Sequence, residues 1–181
     1  MREFLMQNLV HVVACATLIS RLGDIGTTFL VSPRLSVEAN PVARRLGWRF
    51  TFATLALALV PYYSIPGGIV VFTASFLAAA SNASEAMLSR YMGEEKYAAL
   101  HRDAIQKMPI FLGLSLLCLP AIFFMMLGLM MLLLFPDESN GWGFAMGTLL
   151  FASALLILYP MRFFSERRAP KVKPTEPSGT S

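Results

Sequence analysis

Residues 112–135 read LGLSLLCLPAIFFMMLGLMMLLLF, an unbroken apolar run without a single charged side chain. About 20 such residues are enough to carry an α-helix across the hydrocarbon core of a bilayer, and a helix buried in a soluble core needs no run of this length. The stretch therefore decides the fold class. The rest of the chain agrees, since 56% of its 181 residues are hydrophobic and only 14% are charged, against about 25% charged in ordinary soluble domains. The expected fold is an all-α integral membrane bundle of about five transmembrane helices, with one amphipathic helix on the cytoplasmic surface.

Working outward from that run, Pro109 opens the fourth span (109–135) and Pro120 interrupts it. Upstream, residues 93–107 carry Tyr97, Leu100, Ala104 and Ile105 at three-and-four spacing with charges opposite, the pattern of a surface helix. Before it lies a span at 69–89 rich in small residues, among them Ala74, Ser75, Ala78, Ala79 and Ser81. Small side chains let helices approach closely in lipid, which places this span at the bundle centre. Ser64 to Gly68 reads as a tight turn closing a span at 48–63, and Trp48 and Arg49 read as interfacial anchors. A first span covers 8–31 and stops before Pro33, because the residue ahead of a proline is pushed out of the helical region. Val12-Val13-Ala14-Cys15 imitates a lipoprotein processing box, but cleavage there leaves too little apolar chain to span, so an uncleaved first helix is expected. The last span covers 142–164. Residues 166–181, rich in Pro, Ser and Lys, are expected to be a disordered cytoplasmic tail.

The net charge of +4 is spread between and after the apolar runs, which fits membrane topology and gives no basic face for nucleic acid. With five spans, the lysines and arginines at 34–49, 90–107 and 167–173 share one side, so the N-terminus is expected outside and the C-terminus inside a prokaryotic inner membrane. Cys15 and Cys118 fall within spans and read as small packing residues without a disulfide.

One segment breaks the apolar pattern. From Arg21 to Pro41 the chain reads RLGDIGTTFLVSPRLSVEANP, and a charge at the centre of a spanning helix costs about 2.5–3.5 kcal/mol on insertion scales. Arg21, Asp24 and Thr28 share a helix face through their spacing, and Ala78, Asn82 and Glu85 share another. The five-span topology sets Arg21, Asp24, Thr28, Asn82 and Glu85 at one depth, with Glu38 and Asn40 beneath. Asn40-Pro41 is an N-cap followed by the residue favoured at the first helical position. Two readings stay open. Arg21 neutralises Asp24 or Glu85, Asn40 caps, Glu38 pairs with Arg44 or Arg45, and the cluster is scaffolding. Alternatively the polar groups face an ion path, a proton relay, a hard-metal site or a headgroup pocket.

Complete catalytic sets are missing from the sequence pattern. Neither His11 nor His101 is expected near Thr28, Ser81 or Ser84, so a serine or cysteine triad is unsupported, and an Asp24–Glu85 carboxylate pair or a hard metal on Asp24, Glu38 and Glu85 is the hydrolytic arrangement that stays open. His101-Arg102-Asp103 matches the kinase catalytic triplet in letters alone. Met126 and Met130 with Gly143 and Gly147 imitate copper-permeating helices, but no Met- or His-rich segment would deliver copper, and no cofactor is assigned. Asn82-Ala83-Ser84 lies within a span, so it is not read as a glycosylation site.

The pattern Asp24-x-x-Thr27-Thr28 followed by Glu38-x-Asn40-Pro41 resembles a family of small, uncharacterised prokaryotic multi-span membrane proteins with a D-x-x-T-T and E-x-N-P signature. Pro33-Arg34 stands where that family has a small residue. The resemblance groups Asp24, Thr27, Thr28, Glu38, Asn40 and Pro41 as one unit and implies a membrane bundle with no assigned activity. The function expected from the whole sequence is that of a non-enzymatic accessory or assembly subunit of a larger membrane complex, or a small homo-oligomer, with the lipid bilayer and other membrane polypeptides as partners. A small transporter or channel and an intramembrane hydrolase are the alternatives.

Overall fold

The computed structural model describes residues 8–35, 38, 40–134 and 139–169. Among them every element is helical: α1 (Leu9–Val31), α2 (Pro41–Leu46), α3 (Trp48–Ala53) running on as a 3-10 segment (Thr54–Tyr62), α4 (Ile65–Met92), α5 (Glu94–Lys107), α6 (Ile110–Leu134) and α7 (Ser139–Arg168). Four of these, α1, α4, α6 and α7, are long and apolar enough to cross a membrane. Their outward faces carry Ile19, Phe76, Phe111, Phe123, Met126 and Leu133, all exposed. A soluble fold would bury such a surface, while a bilayer solvates it.

The span expected at 48–63 is not one long α-helix but six α-helical residues followed by nine in 3-10 winding. Contacts along its length give its direction. Trp48 meets Phe29 with ring centroids 5.6 Å apart, Thr54 accepts a hydrogen bond from Arg21, and the Tyr62 hydroxyl lies 3.2 Å from His11 Nδ1. The segment thus runs antiparallel to α1 over its whole length. From His11 to Phe29 an α-helix rises about 27 Å at 1.5 Å per residue. The shorter return segment comes close to that length, about 25 Å from Trp48 to Tyr62 against about 21 Å for a plain α-helix, because 3-10 winding rises about 2.0 Å per residue. Stretching lets a short segment match a long one. Pro61, fully buried, seats against Gly68, where a Cβ would stand 2.5 Å from the proline ring.

With the chain returned to its starting side, α4 runs parallel to α1. Thr17 Oγ1 lies 3.3 Å from the Gly68 carbonyl, Arg21 reaches Ser75 at 3.2 Å, Asn82 reaches Thr28 at 3.0 Å, and Ser89 donates to the Val31 carbonyl. Helix α4 begins at Ile65, earlier than expected, because Ser64 caps the Gly67 amide at 3.1 Å and Pro66 sits in the first turn, where its missing N–H costs nothing. It is the central element, packed against α1, the 3-10 segment, α5 and α7. Helix α7 runs parallel to α4, and α6 runs antiparallel along α7, with Gly113 beside Phe163 and Gly128 beside Leu149. Gly143 and Gly147 form the close contact between α7 and α4: a Cβ on Gly147 would lie 2.7 Å from the Val70 carbonyl oxygen. The spacing that imitates copper helices is therefore a packing device.

At the end where α1, α4 and α7 finish, α5 closes the bundle. The left-handed backbone of Gly93 (φ +84°) turns α4 into α5 without a loop. Ser32 donates to Glu94 at 2.6 Å, Arg102 pairs with Glu166 at 2.8 Å, and Arg167 donates to the Met108 carbonyl at 2.8 Å while lying over the Phe163 ring. These contacts to α5 carry α7 through Glu166, Arg167 and Arg168, residues the sequence placed in a disordered tail. The remainder of that tail, 170–181, and the acidic stretch Asp137-Glu138 lie outside the described residues.

The α4–α7 contact gives a direct test. Gly147→Val drives a branched side chain into Val70 and Thr73, with an expected loss of about 1–3 kcal/mol for an overpacked core. Gly26→Ala, where nothing lies within 4 Å of the added methyl, is expected to be neutral or slightly stabilising. Thermal denaturation of both variants in detergent, followed by size-exclusion fluorescence, measures the difference.

Candidate functional site

The polar cluster forms where α1, the 3-10 segment and α4 meet. Arg21 Nη1 donates to Asp24 Oδ2 at 2.7 Å and to Ser75 Oγ at 3.2 Å, and Nη2 donates to Thr54 Oγ1. The Arg21 and Asp24 side chains are only 12% and 17% exposed. Asn82 Nδ2 donates to Thr28 Oγ1 at 3.0 Å and approaches Asp24 Oδ1 at 3.4 Å. One guanidinium thereby joins three elements. Magnitudes rank these contacts: interhelical hydrogen bonds in membrane proteins average about 0.6 kcal/mol each, while removing one member of a buried ion pair costs about 3–5 kcal/mol. The ion pair dominates, and Thr54 and Ser75 aim it.

The other expected site residues take different positions. Thr27 turns back on its own helix, donating to the Gly23 carbonyl at 2.9 Å. Asn40 accepts from the Val42 amide at 2.9 Å as the N-cap of α2, and Glu38 accepts from the Asn40 amide at 2.8 Å. Glu38 forms no ion pair with Arg44 or Arg45 among the described residues. Glu85 does not join Arg21; it accepts from the Tyr97 hydroxyl of α5 at 3.0 Å. The second carboxylate whose charge reaches Asp24 is Glu38. Among the described residues, no three His, Cys, Asp or Glu side chains group closely enough to hold a metal ion.

Two cavities flank the cluster. A cleft of about 380 Å³ is lined by Arg21, Asp24, Glu38, Asn82 and the apolar Leu57 and Leu158. A small void of about 60 Å³ continues it past Thr28, Glu38 and Asn82 to Glu85, Tyr159 and Arg162. Beyond Glu85 lies a third chamber of about 280 Å³, where Arg162 and His101 meet, with Arg162 Nη2 3.4 Å from His101 Nδ1. Sequence reasoning missed Arg162, His101 and Tyr159 as a group, and Thr54 and Ser75 as partners of Arg21. Isolated hydroxyls in apolar runs give no periodic signal, and Arg162 falls inside the last expected span, far in sequence from His101.

His101 is buried beside Arg162, and both effects hold its pKa down to about 4, so the ring is neutral at pH 7. Burial and the neighbouring Glu85 carboxylate raise the Tyr97 hydroxyl above its ordinary value, which keeps it a donor. The kinase-like triplet dissolves into unrelated contacts, with Arg102 on Glu166 and Asp103 on Lys107. Comparison with known protein families, curated proteins and solved structures finds no significant match.

A thermodynamic cycle tests the ion pair. Arg21→Met and Asp24→Leu are each expected to lower unfolding stability by about 3 kcal/mol or more, because each strands a buried charge. The double replacement is expected to cost less than either single change. Urea or SDS titration of the four proteins in mixed micelles gives the coupling.

Proposed function

We propose that the chain is a five-span integral membrane protein without enzymatic activity, acting as an accessory or assembly subunit of a larger membrane complex or as a small homo-oligomer. One observation carries this reading: most of the charged and amide groups expected to form an active or transport site are bonded to one another or to neighbouring helix ends, with Arg21 Nε the buried exception. Arg21 is held by Asp24, Ser75 and Thr54, Asn82 by Thr28 and Asp24, and Glu38 by the capped start of α2. Groups committed in this way fix the packing of three elements. Under this reading the return segment 48–62 is the fifth crossing, Arg44, Arg45, Arg90 and Lys96 lie in the cytoplasm, and the N-terminus is outside an inner membrane. The resemblance carried by Asp24, Thr27, Thr28, Glu38, Asn40 and Pro41 fits the same proposal, because all but Thr27, which bonds within its own helix, belong to the cluster or to the start of α2.

The outer faces suit association. Leu119, Phe123, Met126, Met130 and Leu133 form an exposed apolar stripe along α6, and α6 packs its length against α7. A small transporter or channel is the second reading, favoured by the cleft of about 380 Å³ beside Arg21 and Asp24.

Native mass spectrometry of the protein released gently from its own membrane separates the two. The accessory reading predicts masses carrying other polypeptides or a defined number of copies of this chain. A lone monomer under conditions that preserve other complexes contradicts it and leaves the transporter reading in front.

A further inference from the structure

The chamber around Arg162 is not used by the Arg21 cluster. It lies between α4, α5, α6 and α7, with a volume of about 280 Å³. Its polar end is built by Arg162, His101, Glu85 and Tyr159, and its floor by Phe124, Phe151, Leu155 and Phe163. The acids around Arg162 have other partners: Glu85 accepts from Tyr97 at 3.0 Å, Glu166 is paired with Arg102 at 2.8 Å, and Glu38, across the adjoining void, accepts from the Asn40 amide at 2.8 Å. Among the described residues Arg162 has no carboxylate within ion-pair distance, and its polar contact is the His101 ring. A guanidinium left in this state favours an anion.

The mouth shows where that anion comes from. Ser84 of α4 and Leu116 and Pro120 of α6 line the chamber and are exposed on the flank of the bundle. The chamber opens sideways, on a surface whose neighbouring residues Phe123 and Leu119 are apolar and exposed. With α6 crossing a bilayer, as proposed above, a water-soluble anion would have to pass through hydrocarbon to enter there. An amphiphile already lying in the leaflet would not.

We propose that this chamber is a lateral binding site for one anionic amphiphile, whose phosphate or carboxylate head meets Arg162 and whose aliphatic tail lies over the aromatic floor between α6 and α7. Glu85 at the same end restricts the head to a single negative charge. Ser81 and Tyr159 supply neutral hydrogen-bonding groups beside it, and His101, uncharged at pH 7, adds no second cation. The inference does not rest on the accessory reading: it holds for a lone chain, and in a complex it requires that the Leu119 and Phe123 side of α6 still face lipid.

The test uses the full-length protein in nanodiscs containing equal parts phosphatidylglycerol and phosphatidylcholine with added oleate, read by native mass spectrometry. One retained anionic molecule per chain is expected, enriched about tenfold or more over phosphatidylcholine. A phosphatidylglycerol adduct identifies the head as a phospholipid phosphate, and an oleate adduct identifies a free fatty acid. Arg162→Gln is expected to abolish the enrichment and Arg162→Lys to keep part of it. Should Arg162→Gln fail to fold, Ser84→Trp, which plugs the exposed mouth and leaves Arg162 in place, is expected to remove the adduct. Equal retention of phosphatidylcholine, no retained amphiphile, or an adduct unchanged in Arg162→Gln or in Ser84→Trp would overturn the proposal.

Discussion

A guanidinium inside an apolar bundle needs partners for its donors, and the two terminal nitrogens of Arg21 find them on three elements, Asp24 on its own helix, Ser75 on α4 and Thr54 on the return segment, while Nε is buried without one among the described residues. That requirement fixes the register of the bundle. Thr54 has to stand at the level of Arg21, Trp48 then falls beside Phe29, and Tyr62 beside His11. The return segment has too few residues to cover that distance as an α-helix, and it adopts 3-10 winding over Thr54–Tyr62. Once it has returned, α4 descends parallel to α1, Asn82 meets Thr28 and Ser89 meets the Val31 carbonyl.

The remaining helices follow from close packing around α4. Glycines at 143 and 147 bring α7 to within backbone contact of α4, and Gly113 and Gly128 bring α6 onto α7. In lipid there is little hydrophobic drive between helices, so the closeness that these glycines allow supplies dispersion contacts instead. Where α4 and α6 diverge, the chamber lined by Arg162 opens to the flank. Packing and cavity have one origin: α6 leans on α7, and the space it leaves beside α4 is bounded by Ser84, Leu116 and Pro120.

The apolar runs made α1, α4, α6 and α7 legible from the sequence, because length and a mostly apolar composition mark a helix able to span even where it carries a few charges, as α1 does at Arg21 and Asp24. The span at 48–63 was legible as an element but not in its winding, which depends on the partner it has to match and not on its own residues. Arg21, Asp24, Thr28 and Asn82 were legible as a cluster through helical spacing. Glu85 was placed in that cluster on the same grounds, yet it turns to Tyr97, a partner on another element whose approach depends on the Gly93 turn. Arg162 and His101, far apart in sequence, are joined only by the packing of α5 across the ends of α4 and α7. Spacing rules see one helix at a time, and sites assembled between helices escape them.

The central claim is that residues 48–62 carry the chain back across the membrane in register with Arg21. Single cysteines at Arg49 and at the exposed Tyr63, in a chain with Cys15 and Cys118 replaced by alanine, test it by labelling intact cells with a membrane-impermeant thiol reagent. The account predicts labelling at Tyr63 in intact cells and at Arg49 only after the membrane is opened. Labelling of both positions from the same side would contradict it.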